Sequence, residues 1–431
     1  MIQLIEPDDK NLKDYTDLIQ RAIDEVGNNG GGTVHVRSGN YRLRYLDLRS
    51  NLHLELEAGA HLLFSNTFSD FPAVTSRFEG TVAKMRHPDI FGDHVENVSI
   101  TGEGVIDGCG QKWWEMFVAA KKGPLKSLNY IPFEYSRPFL LAFDYSKHIV
   151  IQGVTLVNSP SWTVHPLESQ DILIQNIRIE NPLDSPNTDG IDPESCSDVK
   201  IIGNSISDGD DCIAIKSGIE STPEKSVSKN IIITNNIMKH GHGGVVFGSE
   251  MSGGIENVII SNNIFYHTDR GIRMKTRRGR GGYIKDVVIS NITMTDVLSP
   301  ITINEFYGMS GSVNDNYLSK FPQPINTGTP KISNIKLSNI IATNVRSVAA
   351  FLYGLPESPI QNVSISDYSV SMSGSSEKEK PEMITESQAY ADSGFWLENT
   401  LKLNLINTHV ENMKTNKFVH QENNINFKEK S

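Results

Sequence analysis

The sequence predicts an all-β chain, a single-stranded right-handed parallel β-helix (solenoid) with an N-terminal helical cap. Three observations lead there. First, one short phrase recurs, a polar residue, often Asn or Asp, followed by alternating Val and Ile. It reads ENVSITG from Glu96, KHIVIQG from Lys147, QDILIQN from Gln170, SDVKIIG from Ser197, KNIIITN from Lys229, ENVIISN from Glu256, KDVVISN from Lys285, SNIKLSN from Ser333 and QNVSISD from Gln361. Second, the steps between first apolar residues are regular: Ile172 to Val199, Val199 to Ile231, Ile231 to Val258, Val258 to Val287 and Ile335 to Val363 are 27, 32, 27, 29 and 28 residues. Such a period without a helical pattern inside it marks a solenoid. Third, apolar and polar residues alternate with period 2 and β-branched residues dominate, which selects strands. Each strand buries its inward residues only against the next unit, so one unit is one coil of a right-handed parallel stack.

In chain order, residues 15–26 (YTDLIQRAIDEV) place Leu18, Ile19, Ala22, Ile23 and Val26 on one helical face, and GNNGGG stops the helix. This segment is expected to plug the first coil, with cap and first coil occupying about 1–45. Residues 372–392 are polar and rich in Ser, Glu and Lys, and read as a long loop before a last strand pair near 396–410. Loop and capping strands together occupy about 371–431. With no linker-like shift of composition, 1–431 is expected to be one domain.

Composition narrows the function. The 431 residues are 38% hydrophobic, which excludes wholesale disorder, and no apolar run approaches the roughly 18 residues of a membrane span. The start, MIQLIEPDDKNLKDY, lacks the regions of a signal peptide, so a cytoplasmic location is expected, a removed leader being the alternative. Cys109, Cys196 and Cys212 have no CxxC spacing and suggest neither a disulfide framework nor a metal site. A net charge of −11 argues against nucleic acid and anionic membrane as partners. The oligomeric state is not encoded in any motif.

Aligning coils stacks polar residues into columns. DGDDCIAIKS from Asp208, HGHGGVVFGS from His240 and TDRGIRMKT from Thr268 place Asp210 over His242, Lys216 over Gly248 and Lys275, and Ala214 over Val246 and Arg273. TDGIDPES from Thr188 adds Asp189 over Asp211. Strand parity turns Arg273 and Lys275 away from the core, and one of the adjacent Asp210 and Asp211 must sit in a corner beside Gly209. Clustered carboxylates raise at least one pKa, which a structural solenoid has no reason to do. Seven basic residues lie within 270–285 with no acidic one, leaving −18 for the rest of the chain, so a local positive patch for a polyanion is expected.

At these residues the chain resembles the polygalacturonases of glycoside hydrolase family 28. Four motifs carry the resemblance in order: Asn187-Thr188-Asp189-Gly190, Gly209-Asp210-Asp211, Gly241-His242-Gly243 and Arg273-Met274-Lys275, the last differing from Arg-Ile-Lys only by an apolar exchange. GGGTVHV from Gly30, LEAGAHLLFS from Leu56, ITGEGVIDG from Ile100 and NSPSWTVHP from Asn158 extend it over most of the chain. The resemblance implies inverting hydrolysis of α-1,4-galacturonosyl bonds without cofactor or metal. It makes Asp210 the general acid, Asp189 and Asp211 the base pair for water, and His242 their hydrogen-bonding neighbour. An inverting pair is expected to stand roughly 6.5–9.5 Å apart. Arg273 and Lys275 would grip a uronate carboxylate, with Asn187, His165 and Arg280 as further substrate-binding residues.

The RGRGG run after Lys275 and the segment HGHGGVVFGSEMSGG resemble the bacterial exo-acting branch, which implies galacturonate released from chain ends of a pectic oligosaccharide or polygalacturonate. Insertions at 111–135 and 307–329 are expected to wall off one end of the cleft. Three alternatives are a rhamnogalacturonan-type hydrolase, a calcium-dependent pectate lyase and a non-catalytic carbohydrate-binding solenoid.

Overall fold

Each repeated phrase begins at a corner in left-handed backbone. Asn97, His148, Asp171, Asp198, Asn230, Asn257, Asp286, Asn334 and Asn362 have φ between 53° and 60°. Asn and Asp tolerate that region better than other residues with a Cβ, which is why the phrase is headed by them. The structure, a computed structural model, describes residues 2–6, 14–126, 128, 130–308, 315–375, 377–384, 390–391, 393–414, 419–424 and 426–430. The fold is a right-handed parallel β-helix. It divides into two compact units, Met1–Asp210 and Asp211–Ser431.

In the first unit, Gly32–Val36, Leu52–Leu56, Glu96–Gly102, Lys147–Gln152, Gln170–Gln175 and Ser197–Ile202 pair in parallel, one per coil. The 27-residue step appears directly as the pairing of Ile172 with Val199. Ile100, Ile151, Ile174 and Ile201 stack inside as one fully buried column, each worth about 1.5–3 kcal/mol of burial. A second face comes from Leu46–Asp47, Ile90–Asp93, Leu141–Asp144 and Val164–Leu167.

The cap is the helix Thr16–Asn28, packed on Gly32–Val36 through Ile19, Ala22, Ile23 and Val26. Leu18 is a correction: it is 43% exposed, because the buried stripe follows 19, 22, 23 and 26 and leaves 18 at its edge. Tyr15 fills that side instead, edge-on to Tyr41. Two elements were not anticipated. An antiparallel hairpin, Ala73–Phe78 with Thr81–Arg86, packs on the coils through Phe78 and Met85. The insertion at 111–135 contains the helix Gln111–Lys122, which buries Trp113, Trp114 and Phe117; residues 127 and 129 lie outside the described residues.

In the second unit, Ser228–Thr234, Ile255–Tyr266, Tyr283–Thr295, Lys331–Val345, Ile360–Met372 and Thr400–Glu411 pair in sequence. Val287 pairs with Ile335 across a step of 48 residues, so the insertion at 307–329 leaves the register intact. Parts of that insertion, 309–314, and of the expected loop at 372–392, namely 376, 385–389 and 392, lie outside the described residues. Among the described residues no helix is long and apolar enough to cross a membrane.

Buried Asn residues tie coils together. The Asn263 side-chain oxygen accepts the Asn236 N–H at 2.8 Å, and its amide donates to the Ile233 carbonyl at 3.1 Å. Replacing Asn263 by Ala removes partners from buried backbone groups and is expected to lower stability by about 1–3 kcal/mol. The check is a reduced denaturant midpoint at constant m-value; an unchanged midpoint would show that this column does not hold the coils.

Candidate active site

The first unit supplies Asn187, Asp189 and Asp210. Asn187 is left-handed at φ 52°, the conformation that Asn tolerates and the tight turn before Asp189 requires. Thr188 pins that turn: its hydroxyl accepts the Gly209 N–H at 3.1 Å and shares a hydrogen bond with Ser185 at 2.6 Å. Gly209 is forced by packing, since a Cβ there would lie 2.2 Å from the Ser185 carbonyl oxygen. Tying the two turns together brings the Asp189 and Asp210 carboxylates within 4.8 Å. The Thr188–Gly209 tie joins neighbouring coils directly.

Arg137 governs the same turn and was missed by sequence reasoning. Its guanidinium donates to the carbonyls of Pro186 at 2.5 Å and Pro160 at 3.1 Å and to Asn187 Oδ1 at 2.8 Å. It also lies 3.8 Å over the Phe117 ring. Burial lowers its pKa to about 9, opposed by the nearby charges of Glu79, Asp189 and Asp210. Arg137 stands in no repeated phrase, so only the fold reveals it.

His165, expected among the substrate-binding residues, lies in the core in this structure. It is fully buried, with Nε2 3.1 Å from a Glu194 carboxylate that is itself buried. Phe139 and Trp162 pack on its ring. Its place on the inner part of Val164–Leu167 makes it a core residue.

The second unit supplies Asp211, His242, Arg273 and Lys275. Asp211 opens the strand Asp211–Ile215, so Asp210 is the one left in the corner. Register follows the expected columns: Ala214 pairs with Val246, Val246 with Arg273, and Gly248 with Lys275. His242 lies half-buried in Ile237–Gly248. Gly243 follows it and must be Gly: a Cβ would stand 3.0 Å from Asp211 Oδ1 and 2.4 Å from Val246. The space it leaves lets side chains from the next coil reach Asp211. Lys275 Nζ is 2.7 Å from Asp211 Oδ2, and Arg273 Nη1 is 3.2 Å from Oδ1. Burial disfavours the charge on Asp211, but Lys275 and then Arg273 outweigh it and hold the carboxyl well below the usual range.

Outward parity did not mean solvent. Arg273 is 1% exposed, because Glu382, from the segment at 372–392, covers it with a bidentate pair at 2.9 and 2.5 Å. Glu382 is fixed in turn by the Met383 N–H at 2.7 Å. Tyr307 closes another side, its ring 5.2 Å from Lys275 Nζ and 5.7 Å from the Arg273 guanidinium. Neither Glu382 nor Tyr307 carried a sequence signal, since both lie beyond strand ends. The Arg273 fork is thus occupied by Glu382 while Nη1 donates to Asp211.

The expected positive patch is likewise corrected. Arg277 and Arg280 both pair with Glu220, Arg278 is held by Glu357 at 2.5 and 2.8 Å, and Lys285 reaches Glu256 at 3.0 Å. Arg280 is therefore buried in a structural pair, not presented to a ligand. A window of sequence counts charge along the chain, whereas these partners arrive from other coils. A divalent ion at Asp211 would have to displace Lys275, so its surroundings suit pairing between side chains rather than metal coordination.

A profile described as Glycosyl hydrolases family 28 matches residues 65–389. A probable polygalacturonase of Vitis vinifera is 34% identical over 377 residues, 85% of this chain and 72% of that one. A polygalacturonase of Cryptomeria japonica is 30% identical over 70% of this chain; the chain spans 56% of its length. A hyperthermoactive exopolygalacturonase from Thermotoga maritima superposes with a TM-score of 0.71 at 29% identity, covering 84% of each chain. A family 28 exopolygalacturonase from Yersinia enterocolitica gives 0.79 at 20% identity, covering 99% of this chain and 78% of that one, which bears on the fold alone.

A depressed carboxyl pKa stabilises the fold above the unfolded value near 3.9 and ceases to do so as pH falls through the folded value. Lys275→Met removes the strongest attraction on Asp211, raising that folded value and leaving a less compensated buried charge. The expected cost is about 3–5 kcal/mol at pH 7, shrinking as acid protonates Asp211. Denaturant midpoints across pH measure it; an equal loss at every pH would contradict the assignment.

Proposed function

The chain belongs to family 28 of the glycosyl hydrolases and is a glycoside hydrolase of the polygalacturonase type that cleaves galacturonosyl bonds; we propose that it does so with inversion, removing galacturonate from the ends of oligogalacturonides. The observation that carries the division of roles is Asp211, kept ionised by Lys275 and Arg273. A carboxylate held in that state has no proton to donate, which leaves it to accept a hydrogen bond from the attacking water rather than to protonate the leaving oxygen.

The acid role then falls to Asp210, which precedes the strand and is only half-buried at its corner. Asp189 shares the base function by directing water. His242 is the hydrogen-bonding neighbour, Lys275 the cation for a uronate carboxylate, and Asn187 a substrate contact held by Arg137. An acid to protonate the leaving oxygen and a base to activate water are the two groups glycoside hydrolysis needs.

End-wise action is supported by the likeness to the Thermotoga maritima exopolygalacturonase and by the insertion at 111–135, whose helix packs Phe117 against Arg137 beside the Asn187 turn. An oligomeric substrate accords with a cytoplasmic site of action, which cell fractionation tests.

Asp210→Asn is expected to lower kcat by about 10²–10⁴-fold, the range of a lost general acid, while oligogalacturonide binding persists. On a defined trimer the wild type should release monomer first and lower polygalacturonate viscosity slowly. Nuclear magnetic resonance of the fresh product should show the inverted anomer. Rapid viscosity loss with mixed oligomers would overturn the end-wise mode, and the retained anomer would overturn inversion.

A further inference from the structure

In the second unit the segment 379–384 reaches the strand Thr268–Lys275 from outside the repeat and is tied down at several points. Arg270 donates from Nε to the Pro381 carbonyl at 3.0 Å and from Nη2 to the Lys380 carbonyl at 3.4 Å. Arg346 meets Glu379 at 3.1 Å, and the Ser347 hydroxyl donates to the Glu379 carbonyl at 2.9 Å. On the other side, Ile384 packs in one buried cluster with Phe306, Phe351 and Leu355. The segment is therefore fixed before and after Glu382, whose side chain is fully buried.

Glu382 uses that fixity on one side chain. A guanidinium is a flat fork whose N–H directions are set relative to one another. Glu382 takes one edge of it: Arg273 Nε donates to Oε2 at 2.9 Å and Nη2 to Oε1 at 2.5 Å. With that edge held, Nη1 is left to meet Asp211 Oδ1 at 3.2 Å. Lys275 also reaches Asp211, but as a point charge it brings no plane.

Glu382 is held in its turn. Its Oε1 accepts the Met383 N–H at 2.7 Å, and its Oε2 accepts the hydroxyl of Thr302, which pairs opposite Arg273 in the next coil, at 3.3 Å. Burial alone would raise its pKa, but Arg273 and then Arg270 outweigh burial and hold it at about 2. A buried ion pair is a poor device for stability, since apolar residues of similar volume do as well. Its geometry, by contrast, leaves Arg273 one orientation.

We infer that Glu382 is a positioning residue of the hydrolysis: by holding the plane of Arg273 it fixes the side from which Asp211 is hydrogen-bonded, and so the direction in which that carboxylate meets the attacking water. The inference rests on the reading in which Asp211 serves as base. The rival for the same contact is competition, with Glu382 occupying a fork that a substrate carboxylate would otherwise take. The fixed segment speaks against it, because Glu382 could leave only by breaking the ties on both sides.

Kinetics on trigalacturonate test the inference. Glu382→Gln keeps the shape but loses one of the two acceptors, and is expected to lower kcat about 10–100-fold, the scale of a small misplacement, with KM unchanged. Arg273→Lys keeps the charge and removes the fork, so adding Glu382→Gln to it should cost no further kcat, as groups acting through one another require. Glu379→Gln weakens the anchoring of the same segment to Arg346 without touching Arg273 and should leave kcat unchanged. If Glu382→Gln does not fold, Glu382→Asp, which keeps the charge but draws the carboxylate back, is expected to lower kcat in the same way. A wild-type kcat in the Glu382 variants, a raised kcat/KM, an equal loss in the Arg273→Lys background or an equal loss from Glu379→Gln would each overturn the inference and leave the hydrolase standing. If the wild type does not cleave the trimer, the hydrolase reading falls and takes the inference with it.

Discussion

The left-handed corner is the constraint on which this molecule depends. A coil can stack on its neighbour in parallel register only if the chain turns at the same place each time, and most residues resist the backbone required. Asn and Asp accept it and add a ladder of their own. Asn257 donates to Asn230 at 2.7 Å, Asn291 to Asn262 at 3.0 Å, Asn339 to Asn291 at 2.8 Å and Asn362 to Asn334 at 3.2 Å. Corners set the phase, and the phase decides which side chains meet. The pairing of Val246 with Arg273 and of Gly248 with Lys275 is a consequence of it.

Given that phase, chemistry is built by omission as well as by placement. Gly243 withholds a side chain beneath Asp211, so that Arg273 and Lys275 converge on one carboxylate. Gly209 withholds one beneath Asp210, so that its corner can press on the turn of Ser185 and Thr188. A β-helix presents long side chains in columns, and without such gaps a column would be filled by its own atoms. The two glycine positions are therefore part of the site although neither bears a reacting group.

Much of the fold was legible because it is periodic. Strand type, coil length and the pairings within each unit follow from residues close in sequence, and the columns of Arg273 and Lys275 follow from counting. What was not legible comes from segments that leave the repeat. Glu382 meets Arg273 from 109 residues away, and Arg137 meets Asn187 from 50. The hairpin at 73–86 and the helix at 111–122 interrupt the period, so phase arguments say nothing about where they pack. The same limit explains the basic window, whose charges looked uncompensated only because Glu220, Glu357 and Glu382 are distant in sequence.

Those pairings bear on how an acidic chain handles an acidic sugar. Buried guanidiniums paired with carboxylates are partly compensated, Arg277 and Arg280 sharing Glu220 and Arg278 facing Glu357, so a count of Arg between 270 and 285 overstates the free positive charge. Their work is internal. Glu382 fixes the plane of Arg273, and Arg273 with Lys275 fixes the charge of Asp211. The two cations outweigh burial and hold the Asp211 carboxyl well below the usual carboxylate range. Consecutive carboxylates part at this corner: Asp211 opens the strand and is enclosed by Lys275 and Arg273, whereas Asp210 precedes it and is half-buried.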